Sequence, residues 1–185
     1  MNRPALILSL ALSSACFAHA QWGNNVNQTF LGPEIGIFMP TDGTLKDAIG
    51  DRWFTYGLGS VGLSELAGNS KNSSFNIISG SGNGSKVYIL GYSLGMVKVM
   101  GDLRKASIIP YFALRGGAAY MDYAVNTSAV TRESGKRIGL NGNAELGVMI
   151  GGKLSLAARY DIFTPADGLR FDGLSFSLKY GISGF

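Results

Sequence analysis

The chain has 185 residues, a formal net charge of +4, 27 glycines and a single cysteine, Cys16. Its cations are scattered, which speaks against a nucleic-acid patch, and no run of eighteen apolar residues follows residue 20, which excludes a transmembrane helix there. Transmembrane strands stay open, because each needs only about 9–11 residues of alternating character.

Residues 1–20 read as an export signal: Arg3, an apolar run from Ala5 to Leu12, and Ala18-His19-Ala20 as a small-residue cleavage site. Cleavage after Ala20 starts the mature chain at Gln21, with residues 21–29 as an N-terminal periplasmic segment. Lipidation of Cys16 is the competing reading. Removing residues 1–20 takes away the only Cys and the only His, His19, and leaves 165 residues, the size of one domain. A chain of that kind has no disulfide to staple it, so packing or a membrane must hold it together.

Alternation then recurs in eight runs: 30–39, 53–62, 73–79, 86–99, 107–122, 138–150, 153–163 and 172–183. The seventh sets Leu154, Leu156, Ala158, Tyr160 and Ile162 against Ser155, Ala157, Arg159 and Asp161. The connections between one and two, five and six ("AVNTSAVTRESGKR") and seven and eight are long, whereas "GGK" at 151–153 is a tight hairpin signal. Long outer loops alternating with short periplasmic turns are expected of a membrane barrel, although "LSELAGNSKN" is long and "SGSGNGS" short for their places. The latter lacks the Lys-Ser/Thr of a phosphate loop and reads as turn chemistry.

One face of these runs carries Phe54, Tyr56, Tyr88, Tyr92, Phe112, Tyr120, Tyr160, Phe176 and Tyr180. Those rings would crowd the narrow interior of an eight-stranded barrel. The other face is rich in Gly, Ser, Ala, Thr and Asn, which fit it. The expected fold is therefore all-β, an eight-stranded antiparallel up-and-down transmembrane barrel over residues 30–185, greasy outside and polar within. Trp53, Tyr56, Tyr88, Tyr120, Tyr123, Tyr160 and Tyr180 are expected at the membrane interfaces.

The export signal, the eight alternating runs, the glycine-rich polar face, the long loops and the terminal Phe185 resemble the small outer-membrane β-barrels of Gram-negative bacteria, the OmpA/OmpX/OmpW-like group. The stretch "GPEIGIFMPTDGTLKDAIGDRWFTYGLG" is similar in style to their opening hairpin. The resemblance implies an outer-membrane location, contact with outer-membrane lipid, recognition of Phe185 by the barrel-assembly machinery, and no second domain. Phe185 is out of phase with Phe176, Leu178, Tyr180 and Ile182, so Gly184 forms a bulge or Phe185 lies beyond the strand.

Parity places Glu34, Arg115, Glu145, Arg159, Asp161 and Lys179 inside, three acids and three bases. A loop centred near residue 130 makes Arg115 and Glu145 cross-strand neighbours, and closure brings Glu34 on the first strand beside Lys179 on the last. Charges in a narrow interior must pair, so these six are expected to plug the lumen. A narrow pore for small solutes, whose pairs rearrange, is one alternative. A soluble periplasmic barrel binding an apolar ligand is another.

Catalysis is not expected, because a nucleophilic serine needs a base of near-neutral pKa and no His follows His19. Serine with lysine remains as Ser175, Ser177 and Lys179, which read as ordinary interior residues. No cofactor is expected, and no metal: Asp42, Asp47 and Asp51 lack the dense spacing of a calcium loop. The function expected is structural or recognition by residues 40–52, 124–137 and 164–171 of an unknown extracellular partner, with no nucleic acid.

Overall fold

In the computed structural model, residues 28–63, 69–100, 107–128, 131–151 and 154–183 are described. The signal sequence, most of the segment 21–29 and Phe185 lie outside them. The strands are β1 (Gln28–Pro40), β2 (Trp53–Leu63), β3 (Asn69–Gly82), β4 (Ser85–Val99), β5 (Ile108–Asn126), β6 (Arg132–Ile150), β7 (Leu154–Phe163), β8 (Gly173–Tyr180) and a short β9 (Ile182–Ser183). Each pairs antiparallel with its neighbour in sequence, β8 pairs with β1, and β9 continues along β1 in the register that β8 sets. The result is a closed eight-stranded antiparallel barrel.

Its shear can be walked residue by residue. From Val148 the ladder passes to Leu156, Leu178, Ile35, Tyr56, Ile77, Leu90 and Tyr120 and returns to β6 at Ile138, ten residues from its start. Eight strands with that offset tilt by about 41° at ordinary strand spacings.

The alternation sorts side chains as the two environments require. Phe54, Tyr56, Tyr88, Tyr92, Leu94, Met96, Leu114, Leu146, Leu156, Tyr160, Ile162, Phe176 and Tyr180 are exposed on the outer wall. With the tilt above, this apolar belt is about 25 Å tall, the height of a membrane barrel's lipid-facing band. Lys86, Asp122 and Lys136 begin just above it, where β4, β5 and β6 pass the belt.

Several expectations are corrected. The long loop at 124–137 is largely strand, because β5 runs to Asn126 and β6 starts at Arg132. The stretch "SGSGNGS" is mostly strand too, turning on Asn83 (φ 48°) and Gly84 (φ 73°), a two-residue hairpin that suits the sheet twist.

Residues 43–49 form a helix, α1, which alternation cannot reveal. Asp42 caps it by accepting from the Leu45 N–H at 3.2 Å, and Gly50 at φ 112° ends it. Leu45, Ala48 and Ile49 turn inward with Phe38, Trp53, Ile78, Val87, Ile89, Met121, Phe163, Ala166, Leu169 and Phe171 to form one apolar core. The outer half of the interior is therefore oily rather than lined with small polar residues. Two of the expected recognition loops, 40–52 and 164–171, act as its lid.

Candidate functional site

Below the apolar cap lies a charged layer. Glu34, Arg115, Glu145, Arg159, Asp161 and Lys179 are all buried, and the structure brings all six together. They come from β1, β5, β6, β7 and β8, at positions that point inward because the strand period is two.

Glu145 is the hub. Its Oε2 accepts from Arg115 Nη1 at 3.0 Å, and its Oε1 from Lys179 Nζ at 2.5 Å and Tyr111 OH at 2.8 Å. Lys179 Nζ lies 3.5 Å from Glu34 Oε2, Arg159 Nη1 donates to Glu34 Oε1 at 2.9 Å, and Arg159 Nε donates to Asp161 Oδ2 at 3.0 Å. One unbroken chain of ion pairs thus links six residues of zero net charge. The arrangement answers the desolvation problem, since each buried charge has an opposite partner and hydrogen bonds.

The cross-strand neighbours differ from expectation. Arg115 faces Asn143 and Glu145 faces Ala113, because the β5–β6 hairpin is centred on residue 129, one residue earlier than the loop reading assumes. The Arg115–Glu145 contact is a diagonal reach instead. Glu34 and Lys179 are direct partners across the closing seam.

Neutral side chains complete the layer, in hydrogen bonds that residue parity alone does not assign. Asn143 accepts from Arg115 at 3.1 Å and donates to Ser93 at 3.2 Å, Tyr111 OH also lies 2.9 Å from Ser155 Oγ, and Ser175 donates to Asp161 at 3.1 Å. Ser175 and Ser177 share the interior with Lys179, but Lys179 Nζ is engaged by the two glutamates. The inward parity of Tyr111 is legible in the run 107–122, where it shares the face of Arg115, but the aromatic residue type points to the apolar face.

The aromatic expectations divide. Tyr56, Tyr88, Tyr160 and Tyr180 are on the outer wall and Tyr120 is half-buried there. Trp53 is not an interface residue: it is 3% exposed, packs on Phe38 with ring centroids 5.5 Å apart, and donates Nε1–H to Gly50 O at 3.0 Å. Residue alternation puts it opposite Phe54 and Tyr56, and Gly80 leaves room for it, since a Cβ there would sit 2.6 Å from the indole. Tyr123 also points inward and donates to Asp167, which in turn pairs with Arg137. That contact ties the 164–172 lid to the rim.

No group of three or more His, Cys, Asp or Glu among the described residues could hold a metal ion. Asp42 is occupied as the α1 cap and accepts from the Arg170 N–H at 3.1 Å.

A closed wall, an apolar belt outside and a charged layer inside decide the architecture. The chain has the fold of a small outer-membrane β-barrel. The N-terminal β-barrel domain of Pseudomonas aeruginosa OprF superposes with a TM-score of 0.53 at 11% identity, covering 84% of this chain and 99% of that one. Neisserial surface protein A gives 0.53 at 8% identity over 87% and 100%. Ail, the attachment invasion locus protein of Yersinia pestis, gives 0.50 at 13% over 84% and 97%. No protein-family model and no curated protein matches the sequence. At these identities the likeness is one of fold.

Proposed function

We propose that this protein is a non-enzymatic integral outer-membrane barrel, closed to solutes, whose work is structural or carried by the surface that rises above the membrane. The carrying observation is the inversion of its faces. Exposed Leu, Ile, Met, Phe and Tyr encircle a wall whose interior holds three carboxylates and three cations. Such a wall is stable where lipid covers it. An apolar-ligand carrier would need an empty oily interior, and here the oily part is filled by Phe38, Trp53, Phe163 and Phe171.

The closed interior follows from two stacked obstructions, the apolar cap under α1 and the ion-pair layer beneath it. The only His and Cys of the chain fall within residues 1–20, so the barrel brings no imidazole or thiol to a reaction. Two measurements test the reading. Fractionation should recover the protein with the outer membrane and show gel mobility that changes only on boiling; recovery in the soluble periplasm would overturn the membrane assignment. Planar-bilayer recording should show no stable openings, and steady conductance would overturn the closed interior.

A further inference from the structure

The apolar belt is not uniform around the barrel. A groove of about 620 Å³ crosses the outer wall from Met100, just past the end of β4, over β5, β6 and β7 to β8. Ala158 is its floor. The cross-strand neighbours of Ala158, Leu146 and Phe176, stand 59% and 50% exposed on either side, and Pro110, Val148 and Leu156 form the flank below. These six residues all have the outward parity, so the groove opens to lipid and not to the lumen.

The ladder gives the groove a direction. Lys98 pairs with Phe112, Phe112 with Leu146, Leu146 with Ala158 and Ala158 with Phe176, all on the outer face. Four ladder steps of about 4.8 Å carry this row about 19 Å across the wall, and at a tilt of about 41° they climb about 13 Å. That climb is about half the height of the belt, the depth of one leaflet. Its lower end is the end of the short β6–β7 connection, opposite α1. A cation marks that end: Lys98 is exposed between Met96 and Met100 on the outer face, and its ammonium makes no ion pair or hydrogen bond among the described residues. A lysine on a lipid-facing wall is tolerated best at the edge of the hydrocarbon, where its stem lies on apolar surface and its ammonium reaches the headgroups.

We propose that this groove binds an anionic glycerophospholipid of the periplasmic leaflet, with one acyl chain lying from Met100 over Ala158 to Phe176 and the phosphate at Lys98. The inference rests on the outer-membrane reading, which puts lipid against this wall and the short turns in the periplasm. The apolar lining recognises the chain, and charge complementarity at Lys98 selects the headgroup. A headgroup of zero net charge brings its own cation beside Lys98 and loses that preference. A lipid of the outer leaflet does not fit, because its phosphate would lie at the opposite end of the belt from Lys98.

The probe is phosphatidylglycerol brominated along its acyl chains and diluted into phosphatidylcholine vesicles that hold the barrel, with brominated phosphatidylcholine as its counterpart. The reporter is Phe176→Trp in a Trp22→Phe background, where Trp53 is shielded inside the barrel. Half-maximal quenching should need about fivefold less of the brominated phosphatidylglycerol at low salt, and the gap should narrow at high salt. Lys98→Gln should bring the two lipids to the same half-point, whereas Lys98→Arg should keep them apart. Ala158→Phe fills the groove and leaves Lys98 in place, so it should abolish the preference as well. Equal half-points in the parent, or a preference that survives Lys98→Gln or Ala158→Phe, overturns the site while the outer-membrane reading stands. A reporter that neither lipid quenches, with heat-modifiable mobility intact, means that protein covers the groove and overturns the site too. Failure of the same preparation to show heat-modifiable mobility would overturn both readings.

Discussion

Replacing Glu145 by Ala is the sharpest test of the charged layer. Glu145 is fully buried and receives Arg115, Lys179 and Tyr111 at 3.0, 2.5 and 2.8 Å. Its loss leaves the interior with three cations against two carboxylates, Lys179 with Glu34 alone at 3.5 Å among its ion pairs, and Tyr111 reduced to Ser155. Removing one partner of a buried pair costs about 3–5 kcal/mol, because the remaining charge stays out of water. Glu145→Gln keeps a neutral acceptor for Tyr111 and should fall below that range. Urea titration in lipid vesicles, followed by Trp fluorescence, gives the free energies. Adding Lys179→Met to Glu145→Ala restores neutrality, so the double variant should be less destabilised than the sum by about 0.5–3 kcal/mol. A Glu145→Ala cost under about 1 kcal/mol, the range of exposed ion pairs, would refute the reasoning.

Trp53→Ala should cost about 3–5 kcal/mol by opening a cavity beneath α1, and should raise protease cleavage within residues 43–52. In a Trp22→Phe background, brominated acyl chains should leave Trp53 fluorescence largely unquenched, whereas a lipid-facing indole would be quenched strongly. Gly80→Ala puts a methyl into the Trp53 ring and should destabilise by about 1–3 kcal/mol in the same urea titration. Asp167→Asn breaks the lid's ties to Arg137 and Tyr123; being partly solvated, it should cost under about 1 kcal/mol yet speed proteolysis at 164–172.

Much of this architecture is legible in the amino acids because the two solvents of a membrane barrel differ so sharply. A strand of period two that meets lipid on one side writes Leu154-Leu156-Tyr160-Ile162 against Ser155-Arg159-Asp161, and the parity of all six interior charges follows. Register is another matter. It depends on where a hairpin turns, and "AVNTSAVTRESGKR" has enough polar residues to look like loop while its ends extend the ladder above the lipid. Trp53 shows the opposite failure: alternation with Phe54 and Tyr56 indicates the interior, but its residue type suggests an interface. The apolar cap could not be read from any one strand, since β1, β2, β3, β4, β5 and β7 each supply only a few of its residues. α1 is seven residues long, too short for a helical period to emerge.

The seam between the chain's two ends has a consequence for assembly. Glu34 enters with the first strand and Lys179 with the last, and both are tied through Glu145 and Arg159 to strands synthesised between them. A sheet still missing its final strand would carry Glu34, Glu145 and Asp161 against Arg115 and Arg159 alone, one acid in excess. The charged layer therefore reaches neutrality only when the C-terminal strand joins the first.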